Sequence, residues 1–103
     1  MIRAIEDHRE GLDRLCRTFR VSRLELFGSA ASEDRFDPEH SDLDFLVEFE
    51  PMDPPSHARS YFGLLSALQD MFGREVDLVE VKAVTNPYLL DSINRGRQQI
   101  YAA

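Results

Sequence analysis

Two apolar segments that are rich in strand-forming residues, Val21–Phe27 and Leu43–Phe49, do most to limit the folds open to this chain. Each has the length of one strand, and β-branched and aromatic residues favour that structure. The first segment stops at Gly28-Ser29. The residues that follow, Ala30–Ser41, are small, charged or turn-forming, which predicts a short helical turn and then a loop. Two neighbouring strands are therefore the predicted centre of the fold.

Helical periodicity lies on both sides of this pair. Apolar residues recur at helical spacing from Ile2 to Phe19, which predicts one continuous helix. Cys16 falls on its apolar stripe and is interpreted as a small buried hydrophobe, and His8 is interpreted as a residue at the solvated rim. Ser56 is the predicted N-cap of a second helix, for which Gly73 is a suitable end.

The remaining segments complete an alternating pattern. The prolines of Pro51–Pro55 predict a loop, and Glu75–Val81 predicts a third strand. Asn86-Pro87 predicts the start of a last helix that ends near Gly96, and Gln99–Tyr101 predicts a short terminal strand. This order indicates an α/β fold in which helices flank a small mixed sheet. A length of 103 residues suits one domain, residues 1–103.

Composition excludes several function classes. A formal net charge of −7 does not favour non-specific binding to nucleic acid, which needs a cationic surface. The N-terminal residues contain charges throughout and do not resemble a signal peptide, and no segment has the apolar length of a membrane span. The single cysteine cannot form an internal disulfide, which fits a cytoplasmic protein.

The strongest chemical signal is a set of carboxylates inside predicted strands. Asp42 and Asp44 are two residues apart, so their side chains project to the same side of a strand. Asp77 interrupts the third strand in the pattern V-D-L-V. If the second and third strands pair, the three carboxylates converge, and like charges at that distance call for a cation. Oxygen ligands with open positions suit Mg²⁺, which also accepts phosphate oxygens.

The Gly28-Ser29 pair fits the same site. Gly28 has no side chain to obstruct a phosphate, and the backbone N–H groups and the Ser29 hydroxyl provide an anion-binding corner. Taken alone, each signal has an ordinary interpretation, because acidic pairs are common at solvated strand ends. Together, in this order along the chain, they favour nucleotide chemistry.

These motifs resemble the minimal nucleotidyltransferase family, the short branch of the DNA polymerase β superfamily. The matching segments are LELFGSAAS, SDLDFLVEF and EVDLVE, and NPYLLDSINRGRQQIYAA is similar to the usual C-terminus of the family. The resemblance covers nearly the whole chain. It implies a polymerase β-like nucleotidyltransferase fold.

The resemblance also implies a function. Members are commonly antitoxins that transfer AMP from Mg·ATP, with two Mg²⁺ ions, onto a tyrosine of a partner HEPN-domain ribonuclease toxin. By the same resemblance Gly28 and Ser29 hold the triphosphate, Asp42 and Asp44 bind the metals, and Asp77 ligates the catalytic metal and assists deprotonation of the attacking hydroxyl.

The chain departs from the family pattern in two ways. Twelve residues separate Ser29 from Asp42, a slightly longer spacer than is usual, and no arginine follows Gly28-Ser29 directly. Arg35 is a candidate replacement, and an exposed loop cation is its other interpretation. Two further functions share the motifs: a non-catalytic antitoxin that acts by binding alone, and a small-molecule nucleotidyltransferase of the aminoglycoside type.

Overall fold

The computed structural model describes residues 1–32 and 34–103. Within them, four α-helices, four strands and two short 3₁₀ turns alternate along the chain. In chain order they are α1 (Arg3–Asp7), α2 (Arg9–Thr18), β1 (Val21–Phe27), the turn Gly28–Ala31, β2 (Leu43–Phe49), α3 (Pro54–Phe72), β3 (Val76–Glu80), the turn Val81–Ala83, α4 (Pro87–Gly96) and β4 (Gln98–Ala102).

The four strands form one mixed sheet in the order β3-β2-β1-β4. β1 is antiparallel to both β2 and β4, whereas β2 and β3 are parallel. Parallel neighbours need a crossover connection, and α3 provides it. The predicted α/β fold, with a small mixed sheet flanked by helices, is confirmed.

The alternation of side chains along β2 separates two apolar cores. Leu43, Phe45 and Val47 belong to the larger core, which includes residues of α1, α2 and α3. Leu46 faces the other side and packs with Phe27 and with Ile93 of α4. Asp44 has the same parity as Leu46, so it lies on the α4 side of the sheet.

Most predicted elements are confirmed. β1 and β2 have the predicted bounds, and β3 and β4 lie at the predicted places. The side-chain oxygen of Asn86 caps α4 by accepting hydrogen bonds from two backbone N–H groups, and Gly73 ends α3 in the left-handed region at φ 62°. The predicted turn after β1 is the 3₁₀ turn, and residue 33 of the loop that follows lies outside the described residues.

The prediction of one helix from Ile2 to Phe19 is wrong. The helix is interrupted at His8, where φ is −116° and ψ is 16°. The His8 ring nitrogen lies 2.8 Å from the carbonyl oxygen of Ala4, which the backbone N–H of residue 8 would occupy in a continuous helix. That N–H donates instead to Ile5. The ring also meets the edge of Phe72, with 5.0 Å between centroids, so tertiary packing fixes the break.

The predicted N-cap of α3, Ser56, is also wrong. Asp53 is the cap, and its carboxylate accepts hydrogen bonds from the Ser56 N–H at 3.1 Å and from the Ser56 hydroxyl at 2.7 Å. Pro54 and Pro55 therefore lie in the first helical turn. Proline is tolerated there because its missing N–H has no partner in a helix.

Cys16 is fully buried, as predicted. Burial, with a smaller contribution from Asp13, raises the pKa of its thiol to about 12. In residues 1–32 and 34–103, no helix has both the length and the hydropathy to cross a membrane.

Candidate nucleotide and metal site

The register between β2 and β3 brings two of the predicted carboxylates together. Asp44 and Asp77 are direct partners across this parallel pair, so they project from the same face of the sheet. Asp42 precedes β2 by one residue and has the same parity as Asp44. Asp42 and Asp77 are exposed, whereas Asp44 is partly buried. The predicted meeting of Asp44 and Asp77 on one face is confirmed, whereas the metal-binding and catalytic roles of all three residues remain predictions.

The pairing of β1 with β2 brings the predicted phosphate corner to the same place. Phe27, the last residue of β1, is the register partner of Asp44, so Gly28 follows directly beside that carboxylate. Gly28 has φ 71°, and a Cβ placed on it would lie 2.4 Å from Asp44 Oδ2. A side chain is therefore excluded by both conformation and space. Ser29 is the next residue in the 3₁₀ turn, where its carbonyl accepts a hydrogen bond from Ser32 at 3.1 Å.

The surroundings of Asp44 disfavour its ionised form. Burial, followed by the charges of Asp77 and then Asp42, raises the pKa of Asp44 from 3.8 to about 6. Ionisation of Asp44 therefore costs free energy in the folded protein, and a cation bound beside this carboxylate would offset that cost. This electrostatic environment is typical of a site that is completed by a ligand.

The donor set fits Mg²⁺, since every candidate ligand is a carboxylate oxygen. Across the described part of the chain, no three His, Cys, Asp or Glu side chains are already grouped to hold a metal ion. Mg²⁺ is usually bound by one or two carboxylates together with water and substrate phosphates rather than by a complete protein cage. Asp42, Asp44 and Asp77 would then hold the metal jointly with the nucleotide.

A small pocket beside Gly28 carries two cationic residues. Its volume is about 160 Å³, and it is lined by Gly28, Arg35, Ser92, Arg95 and Gly96. Arg95 is oriented by Asp91, with nitrogen–oxygen distances of 2.5 and 3.1 Å. The candidate replacement arginine, Arg35, thus lies next to the predicted phosphate corner, and its role remains a prediction.

Ser92 and Arg95 were not predicted as site residues. Asp91 and Arg95, four residues apart on a helix, ordinarily indicate an exposed ion pair, and Ser92 alone carries no signal. Ser92 and Arg95 lie near Gly28 only because α4 packs on the sheet face that carries Phe27 and Leu46.

Comparison with known proteins agrees with this geometry. Residues 8–100 match the family described as nucleotidyltransferase domain. The chain belongs to this family. It is therefore a nucleotidyltransferase, and its substrate is a nucleotide.

Curated relatives of this nucleotidyltransferase come from Methanocaldococcus jannaschii. One is 37% identical over 73% of this chain and 72% of its own length. A second is 39% identical over 73% of this chain and 71% of its own length. Both carry the description "putative protein adenylyltransferase".

Solved structures support the same fold. A protein described as a "putative minimal nucleotidyltransferase" is 30% identical, with a TM-score of 0.64 over 91% of this chain and 90% of that chain. A toxin–antitoxin complex with AMP-PNP gives 19% identity and a TM-score of 0.66 over 92% of this chain and 73% of that chain. A Shewanella oneidensis complex of a tri-AMPylated HEPN toxin with an MNT antitoxin gives 20% identity and a TM-score of 0.59 over 96% of this chain and 73% of that chain. At these two lower identities the likeness concerns the fold alone.

Proposed function

We propose that this nucleotidyltransferase is an antitoxin that transfers AMP from Mg·ATP to a tyrosine hydroxyl of a partner HEPN ribonuclease toxin. The observation that carries the proposal is the register of Asp44 with Asp77 beside Gly28, whose missing side chain leaves room for Asp44. In this proposal residues 1–103 act as one domain, in the cytoplasm, where ATP is available.

Two kinds of relative favour a protein acceptor. The Methanocaldococcus jannaschii proteins carry the description "putative protein adenylyltransferase". Structural neighbours include a toxin–antitoxin complex with a nucleotide analogue and a complex with an AMPylated HEPN toxin. An acceptor that arrives on another molecule also suits a site whose acidic residues lie on an open face.

The nucleotide is proposed to lie between the carboxylates and the arginine pocket. Gly28 and Ser29 hold the triphosphate, with Arg35 and Arg95 able to reach its outer phosphates from the 160 Å³ pocket. A second, larger cavity of about 590 Å³ is lined by Ile2, Phe36 and Arg74 among others, and it shares no lining residue with this site. We therefore assign the outer phosphates of the nucleotide to the smaller pocket.

The carboxylates have two proposed roles. Asp42, Asp44 and Asp77 would hold two Mg²⁺ ions, which would supply positive charge to the phosphates and favour ionisation of the attacking hydroxyl. Asp77 is exposed and can also receive the tyrosine proton. The tyrosine oxygen bonds to the α-phosphorus, the bond from that phosphorus to the bridging oxygen breaks, and pyrophosphate leaves.

The test uses the purified chain with its cognate HEPN toxin, ATP and Mg²⁺. We expect the intact mass of the toxin to rise by one or more AMP units. Asp77→Asn should abolish the increase while complex formation persists, because the change removes a metal ligand and proton acceptor rather than an interface. Asp70→Asn is the matched control, since Asp70 is exposed on α3 and is not part of the site.

Two outcomes would contradict the proposal. If the toxin keeps its mass but loses its ribonuclease activity at equal stoichiometry, the chain is a non-catalytic antitoxin. If the toxin stays unmodified and active while an aminoglycoside is adenylylated, the chain is a small-molecule nucleotidyltransferase.

A further inference from the structure

We propose that Arg74 is a positioning residue that fixes Asp42 for metal binding. The inference rests on the proposed function, because it concerns a carboxylate of the same site. Arg74 follows Gly73 at the end of α3 and precedes β3. It is therefore attached to the strand that carries Asp77, while its side chain reaches the loop that carries Asp42.

The contacts of Arg74 are made with the backbone of that loop. One terminal nitrogen donates a hydrogen bond to the carbonyl of Ser41 at 2.9 Å, and the other donates to the carbonyl of Pro38. The guanidinium carbon lies 5.2 Å from the centre of the Phe36 ring, which it covers. A planar fork that makes two hydrogen bonds and a ring contact is specific to arginine.

These contacts determine where Asp42 lies. The Ser41 carbonyl belongs to the peptide unit that joins Ser41 to Asp42, so a fixed carbonyl fixes the start of the Asp42 backbone. The hydrogen bonding of β2 with the β3 segment begins one residue after Asp42, where the backbone N–H of Leu43 donates to the carbonyl of Glu75 at 3.3 Å. Arg74 therefore extends the attachment of β2 to β3 past the end of the sheet.

The turn before Asp42 is held together by its own hydrogen bonds. Asp37 accepts a hydrogen bond from Glu39 at 2.9 Å, and its backbone N–H donates to the Ser41 hydroxyl at 2.9 Å. Its carbonyl also accepts from the Ser41 N–H at 2.9 Å. Arg74 holds this turn at both Pro38 and Ser41, and its removal would release the turn without unravelling it.

Loss of Arg74 should affect the three carboxylates unequally. Asp44 and Asp77 lie within paired strands, and the sheet holds them. Asp42 lies outside the strand and is exposed, so its position depends on the loop. A weaker metal site with an intact sheet is the expected signature.

The experiment measures Mn²⁺ binding to the purified chain by electron paramagnetic resonance, without toxin and with the nucleotide analogue AMP-PNP present. Arg74→Gln should raise the Kd for Mn²⁺ by about tenfold, the lower end of the effect of residues that orient metal ligands. Arg74→Lys keeps the charge and a single donor nitrogen but loses the planar fork, and its Kd should lie between those of the wild type and Arg74→Gln. Arg17→Gln removes an exposed arginine of α2 that is paired with Asp13, and should leave the Kd unchanged.

A double-mutant cycle separates positioning from general destabilisation. In the Asp42→Asn background, Arg74→Gln should cause no further loss of Mn²⁺ affinity, because the ligand it positions is already absent. Wild-type affinity in folded Arg74→Gln, or a full additional loss in the double mutant, would overturn the role of Arg74 alone. Absence of Mn²⁺ binding in the wild type would overturn the proposed metal site and this inference with it. If Arg74→Gln does not fold, Arg74→Lys decides by the same criteria.

Discussion

Replacement of Gly28 by alanine tests the contact on which the proposed site depends. Gly28 has φ 71°, a conformation that costs an L-residue about 1–2 kcal/mol. The new Cβ would also lie 2.4 Å from Asp44 Oδ2, so the carboxylate must rotate away. An off-rotamer side chain costs about 0.5–1.5 kcal/mol. We therefore expect Gly28→Ala to lower the free energy of unfolding by about 1.5–3.5 kcal/mol.

The effect on catalysis should exceed the effect on stability. A displaced Asp44 no longer meets the metal and the nucleotide in the required geometry, and misplacement by about 1 Å can reduce a rate on the order of 100-fold. AMP transfer to the toxin, measured by intact mass and normalised to the folded fraction, should fall by at least that factor. Urea denaturation in EDTA gives the stability in parallel.

Gly73→Ala is the matched control. Gly73 has a similar φ of 62°, but a Cβ there would have no heavy atom within 4 Å. It should therefore lose about 1–2 kcal/mol of stability from backbone strain and transfer AMP at the wild-type rate. The reasoning is refuted if Gly28→Ala is no less stable than Gly73→Ala and remains active.

Two further predictions concern buried charge. Because the pKa of Asp44 is raised to about 6 in the folded state, the metal-free protein should lose stability as pH rises from about 4 to 6, by about 1–2 kcal/mol after allowance for partial exposure. Asp44→Asn should not show this pH-dependent loss of stability. The prediction is contradicted if the free energies of unfolding of wild type and mutant, measured in urea, differ by the same amount at every pH. Glu25, only 6% exposed, is paired with Arg97 at 3.2 Å, so Arg97→Met should cost about 3 kcal/mol. The double mutant Glu25→Leu/Arg97→Met should recover most of that loss in thermal melts, and an Arg97→Met variant as stable as the wild type would exclude the pair as a structural element.

The sequence was sufficient wherever a short-range rule determined the structure. The bounds of β1 and β2 follow from strand-forming runs that end at strong breakers, Gly28 and Pro51. The shared face of Asp42 and Asp44 follows because side chains two residues apart on a strand project to the same side. Both features depend only on residues close together in the sequence.

The errors and omissions arose where a distant contact or two equivalent local solutions decided the outcome. Asp53 and Ser56 are both good helix caps, and only the tolerance of the first turn for proline separates them. The break at His8 depends on its contact with Phe72 of α3. Arg95 likewise reaches the pocket only through the packing of α4, which no periodicity in the sequence specifies.

The burial of Cys16 makes the native chain its own probe of unfolding. The thiol is fully buried, and its pKa of about 12 leaves almost no thiolate at neutral pH. A disulfide reagent will therefore react only with molecules in which α2 has opened, and the trapping rate measures that opening. Since the sequence contains no other cysteine, the signal is unambiguous. Each variant can be compared in this way without an added label, and a cysteine introduced at the surface can be modified selectively while the protein stays folded.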